Sequence, residues 1–136
     1  MEFVIDRTEA DVLMGTSKGV YQYTDLNRVE AAVAEIAAQF QSLGISLELT
    51  VKSDWAPPED FTAESWVTGN QMVRYLQNVS AIRNLFPVAF DLPQSMSDLN
   101  WEGANSIEKT LKAAVDRIAA MKQSYRYSGE FYAGEE

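Results

Sequence analysis

Neither cysteine nor histidine occurs anywhere in the sequence. Their absence removes thiol nucleophiles, disulfide staples, imidazole acid–base catalysis and zinc sites of the usual kind. Much of enzyme chemistry goes with them, so we expect a protein that is not an enzyme, with no catalytic residues, no cofactor and no metal. Basic residues are sparse too: eleven Lys and Arg against twenty Asp and Glu give a net charge of -9 and a pI near 4.4. They are scattered instead of gathered into a stripe, which argues against nucleic acid and anionic membranes as partners. No apolar run approaches the roughly 20 residues that cross a bilayer. The opening "MEFVID" lacks the basic start and apolar stretch of a secretion signal, and the expectation is synthesis in the cytoplasm.

What is present suits one globular domain. The chain has 136 residues, 46% of them hydrophobic, and a mean hydropathy of -0.21. A chain of that length hides roughly two-thirds of its unfolded surface, enough for a core without metal or disulfides. Neither a repeat nor a low-complexity tract is apparent, and the expected organisation is a single helical domain over 1–136. Residues 1–23 read as an arm and a short helix, 24–124 as a bundle and 125–136 as an extended tail.

Three segments carry a helical period. From Thr24 the apolar positions Leu26, Val29, Val33, Ile36, Phe40 and Leu43 recur every three or four residues, and Gly44 supplies the stop. A second helix starts at Thr68, where Thr-Gly-Asn-Gln matches a capping box with Gln71, and runs through Met72, Leu76, Val79, Ile82 and Phe86 to Pro87. The third begins near Asn100, presents Ala104, Ile107, Leu111, Ala114, Ile118 and Met121, and ends near Ser124. Each stripe covers one side only, so the three must bury one another, and the fold class is mainly α, a three-helix bundle. Short strands are expected at Glu2 to Ile5, in the first long connection at Ser46 to Val51, and in the C-terminal "YRYSGEFY". The prolines of "DWAPPEDF" would hold the rest of that connection extended.

Isolated motifs weigh little. Ser106 and Lys109 spell the S-x-x-K of serine acyl enzymes, but the companion S-D-N and K-T-G elements are missing, and a solvated helix face explains the pair better. "GTSKG" at Gly15 to Gly19 lacks the spacing of a phosphate loop and reads as a turn between the short helix and the first long one. Glu59-Asp60 and Glu135-Glu136 come without a calcium-loop pattern. Asn78-Val79-Ser80 fits the glycosylation triplet but lies mid-helix.

One constellation is placed by spacing. With helices running up, down, up, a rise of ~1.5 Å per residue brings Asn27 and Arg28 level with Asn105 and Glu108, and Arg83 arrives at the same level. Two amides, two guanidinium groups and a carboxylate beside apolar stripes suggest a hydrogen-bonded layer that fixes helix register. Solvated positions are the alternative, and a ligand pocket a further one. Aromatic residues outside the stripes form a second group: Trp55, Trp66, Trp101, Tyr127, Phe131 and Tyr132. Trp55 and Trp66 would pin the long connection to the bundle, or some of these rings would anchor another protein.

Six stretches in order, "FVIDRTEADV", "KGVYQYTDLNRVEAAV", "KSDW", "MVRYLQNVSAIR", "LPQSMSDLNWEGANSIEKTL" and "YSGEFYAGE", resemble a family of phage and prophage tail, baseplate or fibre structural proteins of Firmicutes. The likeness runs through nearly the whole chain. It departs in two connections: the stretch between "DRT-ADV" and "KG-Y" is cut to "LMGTSKG", and "PPEDFTAESWV" expands the path after "DW". The resemblance implies a virion structural component assembled through protein–protein contacts with other virion proteins or with itself as a homo-oligomer. It brings no catalytic residues. A receptor- or carbohydrate-binding module at a fibre tip, with Trp55, Trp66 or Trp101 stacking on sugar rings, is the alternative.

Overall fold

A computed structural model describes residues 2–16, 18–19, 21, 23–55, 70–85, 90–96 and 99–135, with backbone alone for residues 70 and 125–135. Among the described residues there are four helices: α1 (Glu9–Met14), α2 (Tyr23–Ser42), α3 (Asn70–Arg83) and α4 (Trp101–Glu135). Their ends follow local chemistry. Thr8 caps α1 in a reciprocal box with Asp11, and Gly15 takes the left-handed conformation (φ 67°) that ends it. The twenty residues of α2 include no Gly or Pro, and the helix stops before Gly44 (φ 87°). There the Ile45 N–H turns back to the Phe40 carbonyl at 3.0 Å. Asn100 opens α4, its Oδ1 accepting the Gly103 N–H at 2.7 Å.

The long helices α2, α3 and α4 each pack against the other two. Leu26, Val29, Val33, Ile36 and Phe40 of α2 are at most 2% exposed. They meet Met72, Tyr75, Leu76, Val79 and Ile82 of α3 and Ile107, Leu111, Ala114 and Ile118 of α4 in one core. Each full burial of such a side chain contributes roughly 1.5–3 kcal/mol, which is what draws the stripes together. The chain is therefore mainly α, a helical bundle.

Two expectations are corrected. Glu2 to Ile5 and Ser46 to Val51 lie outside the helices and join no strand ladder among the described residues. Alternation supplied strand-like residues, but a ladder needs a second backbone edge, and here helix side chains take the backbone groups instead. The extended tail is the other correction, because α4 continues through Glu135. Residues 125–135 contain no proline, and a glycine such as Gly129 costs only about 1 kcal/mol inside a helix whose nucleus already exists. The bundle boundary at Ser124 thus falls within one helix. Thr68, Trp66, Phe86, Pro87 and the Glu59-Asp60 pair lie outside the described residues.

Ile107 is fully buried, whereas Val73 is 55% exposed. Urea unfolding should show Ile107→Ala losing about 2–5 kcal/mol and Val73→Ala changing by no more than about 0.5 kcal/mol.

Candidate functional site

The buried charges gather where the N-terminal segment crosses α4. Glu108, fully buried, accepts from Arg7 Nη2 at 2.7 Å and from Arg28 Nε and Nη2, both at 2.9 Å. Asp25 accepts from Arg28 at 2.6 Å and from Arg7 at 3.4 Å. Two guanidinium groups and two carboxylates thus balance inside the protein, as buried ions must. Arg7 also donates from Nε to the Lys18 carbonyl at 3.1 Å and from Nη1 to the Val4 carbonyl at 2.9 Å, and lies 5.5 Å from the Tyr21 ring centre. The hydrogen bond to Glu108 holds Arg28 more firmly protonated than an ordinary guanidinium.

A second, neighbouring cluster centres on Glu30, which is 1% exposed. It accepts from Arg74 at 2.6 Å and 3.1 Å and from the indole N–H of Trp55. Arg74 and Asn78 of α3 both donate to the Thr50 carbonyl at 2.7 Å.

The two clusters share one construction. On α4, Asn105 pairs with both backbone groups of Arg7: its Oδ1 accepts the N–H at 3.0 Å and its Nδ2 donates to the carbonyl at 2.9 Å. One turn on, Glu108 accepts the Val4 N–H at 3.1 Å. On α2, Asn27 pairs in the same way with both backbone groups of Trp55, each at 2.9 Å. Glu30 then accepts the Lys52 N–H at 3.1 Å. In each case an Asn and a Glu three apart, neighbours on one helix face, hold an extended strap at two residues also three apart. The side chain of the residue gripped by Asn, Arg7 or Trp55, reaches on to the same Glu. Strap numbers fall as helix numbers rise, so both straps run antiparallel to their helices.

Of the residues picked out by spacing, Arg28, Asn105 and Glu108 come together, and Asn27 serves the other clamp. Arg83 lies half-buried beside a groove between α3 and residues 92–96 and joins neither. Arg7, Asp25, Glu30 and Arg74 were not picked out. The signal that could have found them is the recurrence of Asn-x-x-Glu at 27/30 and 105/108, with Asp-Arg at 6–7 and Asp-Trp at 54–55.

The other motifs settle into local roles. Asn78 is buried against Thr50. Ser106 and Lys109 stand half-buried on α4, the Ser106 carbonyl taken by Thr110 at 2.8 Å. Of the "GTSKG" stretch, Gly15 ends α1 and Gly19 lies so close beneath that helix that a Cβ on it would sit 2.3 Å from the Asp11 carbonyl. Trp55 is half-buried with Lys52 5.4 Å above its ring, and Trp101 lines a cavity of about 300 Å3 with Arg7 and Tyr21. The side chains of Tyr127, Phe131, Tyr132, Glu135 and Glu136 lie outside the described residues. No buried side-chain nitrogen or oxygen among the described residues lacks a partner. No group of three or more acidic residues among them could hold a metal, and no described helix is long and apolar enough to cross a membrane.

Tyr21 and Tyr75 meet hydroxyl to hydroxyl beneath the Arg7 cluster. Burial pushes both phenols above their ordinary range, and nearby Glu108 adds to the effect. Between the unfolded and folded pKa values the unfolded chain binds fewer protons, so stability falls as pH rises above about 10. Unfolding free energy should therefore drop between about pH 9.5 and pH 11.5, and a Tyr21→Phe, Tyr75→Phe double variant should show a shallower drop.

Glu108→Ala leaves Arg7 buried without its main partner and should cost about 3–5 kcal/mol in urea unfolding. Asn27→Ala and Asn105→Ala should each cost about 1–3 kcal/mol, while exposed Asn84→Ala should change stability by less than about 0.5 kcal/mol. Compared with protein-family models, with curated proteins and with solved structures, the chain matches none of them.

Proposed function

We propose that this chain is a non-enzymatic structural component of a phage virion, in a tail, baseplate or fibre, that works through protein–protein contacts with other virion proteins and with its own copies. The observation that carries the reading is the commitment of the buried charges. Glu108, Asp25 and Glu30 are each neutralised by arginine and spent on fixing extended segments to helices. Carboxylates whose oxygens are taken up by arginines and backbone amides of their own chain hold a shape. Apolar side chains remain outside: Leu13 and Met14 are each 79% exposed and Val73 55% exposed. The ordered resemblance to phage tail, baseplate and fibre proteins supports the same reading. The alternative of a sugar-binding platform loses strength at Trp55, whose indole N–H and ring face are already engaged by Glu30 and Lys52.

An antibody against the purified chain, applied to gradient-purified particles from an induced Firmicutes lysogen that carries the gene, checks the proposal. The chain should sediment with particles and stay with them through a high-salt wash. Recovery solely from the soluble lysate would sink it.

A further inference from the structure

The two clamps differ in how firmly their straps are tied to the remaining chain. The second strap follows Leu47, a core residue, and Leu49 and Val51, which pack on the core with Trp55. The first runs on into α1, none of whose residues is buried, and which leaves Val12, Leu13 and Met14 exposed. Within that strap Phe3 packs on the core. Further hold comes from the Arg7 head group, from the polar clamp of Asn105 and Glu108, and from an exposed Lys18–Asp6 pair.

Removing the strap would leave Asp25, Arg28 and Glu108 with one negative charge in excess. That excess favours a segment that brings a cation, as Arg7 does in pairing with both Glu108 and Asp25. The filling segment must be extended and carry an arginine gripped by Asn105. It must also offer an N–H three residues earlier to Glu108. Reciprocal exchange of this strap between two copies preserves every bond of both clamps.

We propose that the α4 clamp is a peptide-binding site for the segment Val4–Arg7, and that in the assembled state a second copy of this chain supplies that segment. The proposal names the partner for the assembly reading above and rests on it. Full-length Arg7→Ala disables the strap and leaves the clamp; full-length Asn105→Ala disables the clamp and leaves the strap. When the two are mixed, the intact strap of one meets the intact clamp of the other. The mixture should then gain a dimer mass by light scattering and a second, higher thermal transition, both absent from either variant alone.

In parallel, a fluorescein-labelled peptide of residues 2–8 should bind the Arg7→Ala chain at least tenfold more tightly than wild type, whose own strap competes. The same peptide with Arg7→Ala should bind at least tenfold more weakly. If the Arg7→Ala chain does not fold alone, the unsubstituted peptide should restore its helical circular dichroism. Neither binding nor refolding would overturn the peptide site, and peptide binding without a dimer on mixing would overturn the exchange between copies. Exchange in solution by a chain that particles lack would support the clamp while removing the virion reading.

Discussion

The fully buried carboxylate of Glu108 is the constraint around which the remaining structure is organised. An ionised carboxylate away from water is tolerable only when cations and donors surround it, and Glu108 has Arg7, Arg28 and the Val4 N–H. Arg7 is itself buried, so it needs Asp25 and the carbonyls of Val4 and Lys18. Satisfying one charge thus fixes the N-terminal segment, the turn before α2, the start of α2 and the register of α4. Hydrophobic burial alone would leave those relations loose, because stripes of similar side chains can slide by a turn with little loss. The polar cluster sets which of the nearby packings is adopted.

The helices were legible in the sequence because burial repeats every three or four residues. Leu26 to Phe40 and Ile107 to Ile118 form stripes that no other element would produce. Arg28, Asn105 and Glu108 could be placed together by arithmetic along helices, since rise per residue is nearly constant. Arg7 could not. It sits in a segment without helical period, about a hundred residues before its partners Asn105 and Glu108, and nothing local marks an arginine as buried. Asn27 belongs to the other cluster for a related reason. Level along the bundle axis is not the same as facing inward at the same point, and Asn27 faces the strap that ends at Trp55.

The strand-like segments illustrate how far alternation can mislead. An extended backbone needs partners for its N–H and carbonyl groups, and a neighbouring strand is the commonest source. Here carboxamide, carboxylate and guanidinium groups on helices do that work: Asn105 and Glu108 for the first strap, and Asn27, Glu30, Arg74 and Asn78 for the second. Among the described residues, the helices thereby keep these segments on the bundle without a sheet or an open sheet edge.

The antiparallel course of the first strap along α4 also decides how the chain meets force. A pull on Glu2 directed along the axis of α4 loads the bonds at Val4 and Arg7 together, because both lie side by side along the line of tension. A pull at right angles would peel them open one after the other, Val4 before Arg7. The same few hydrogen bonds are therefore stiff in one direction and compliant in the other, and the direction in which the segment is pulled sets how much load it carries.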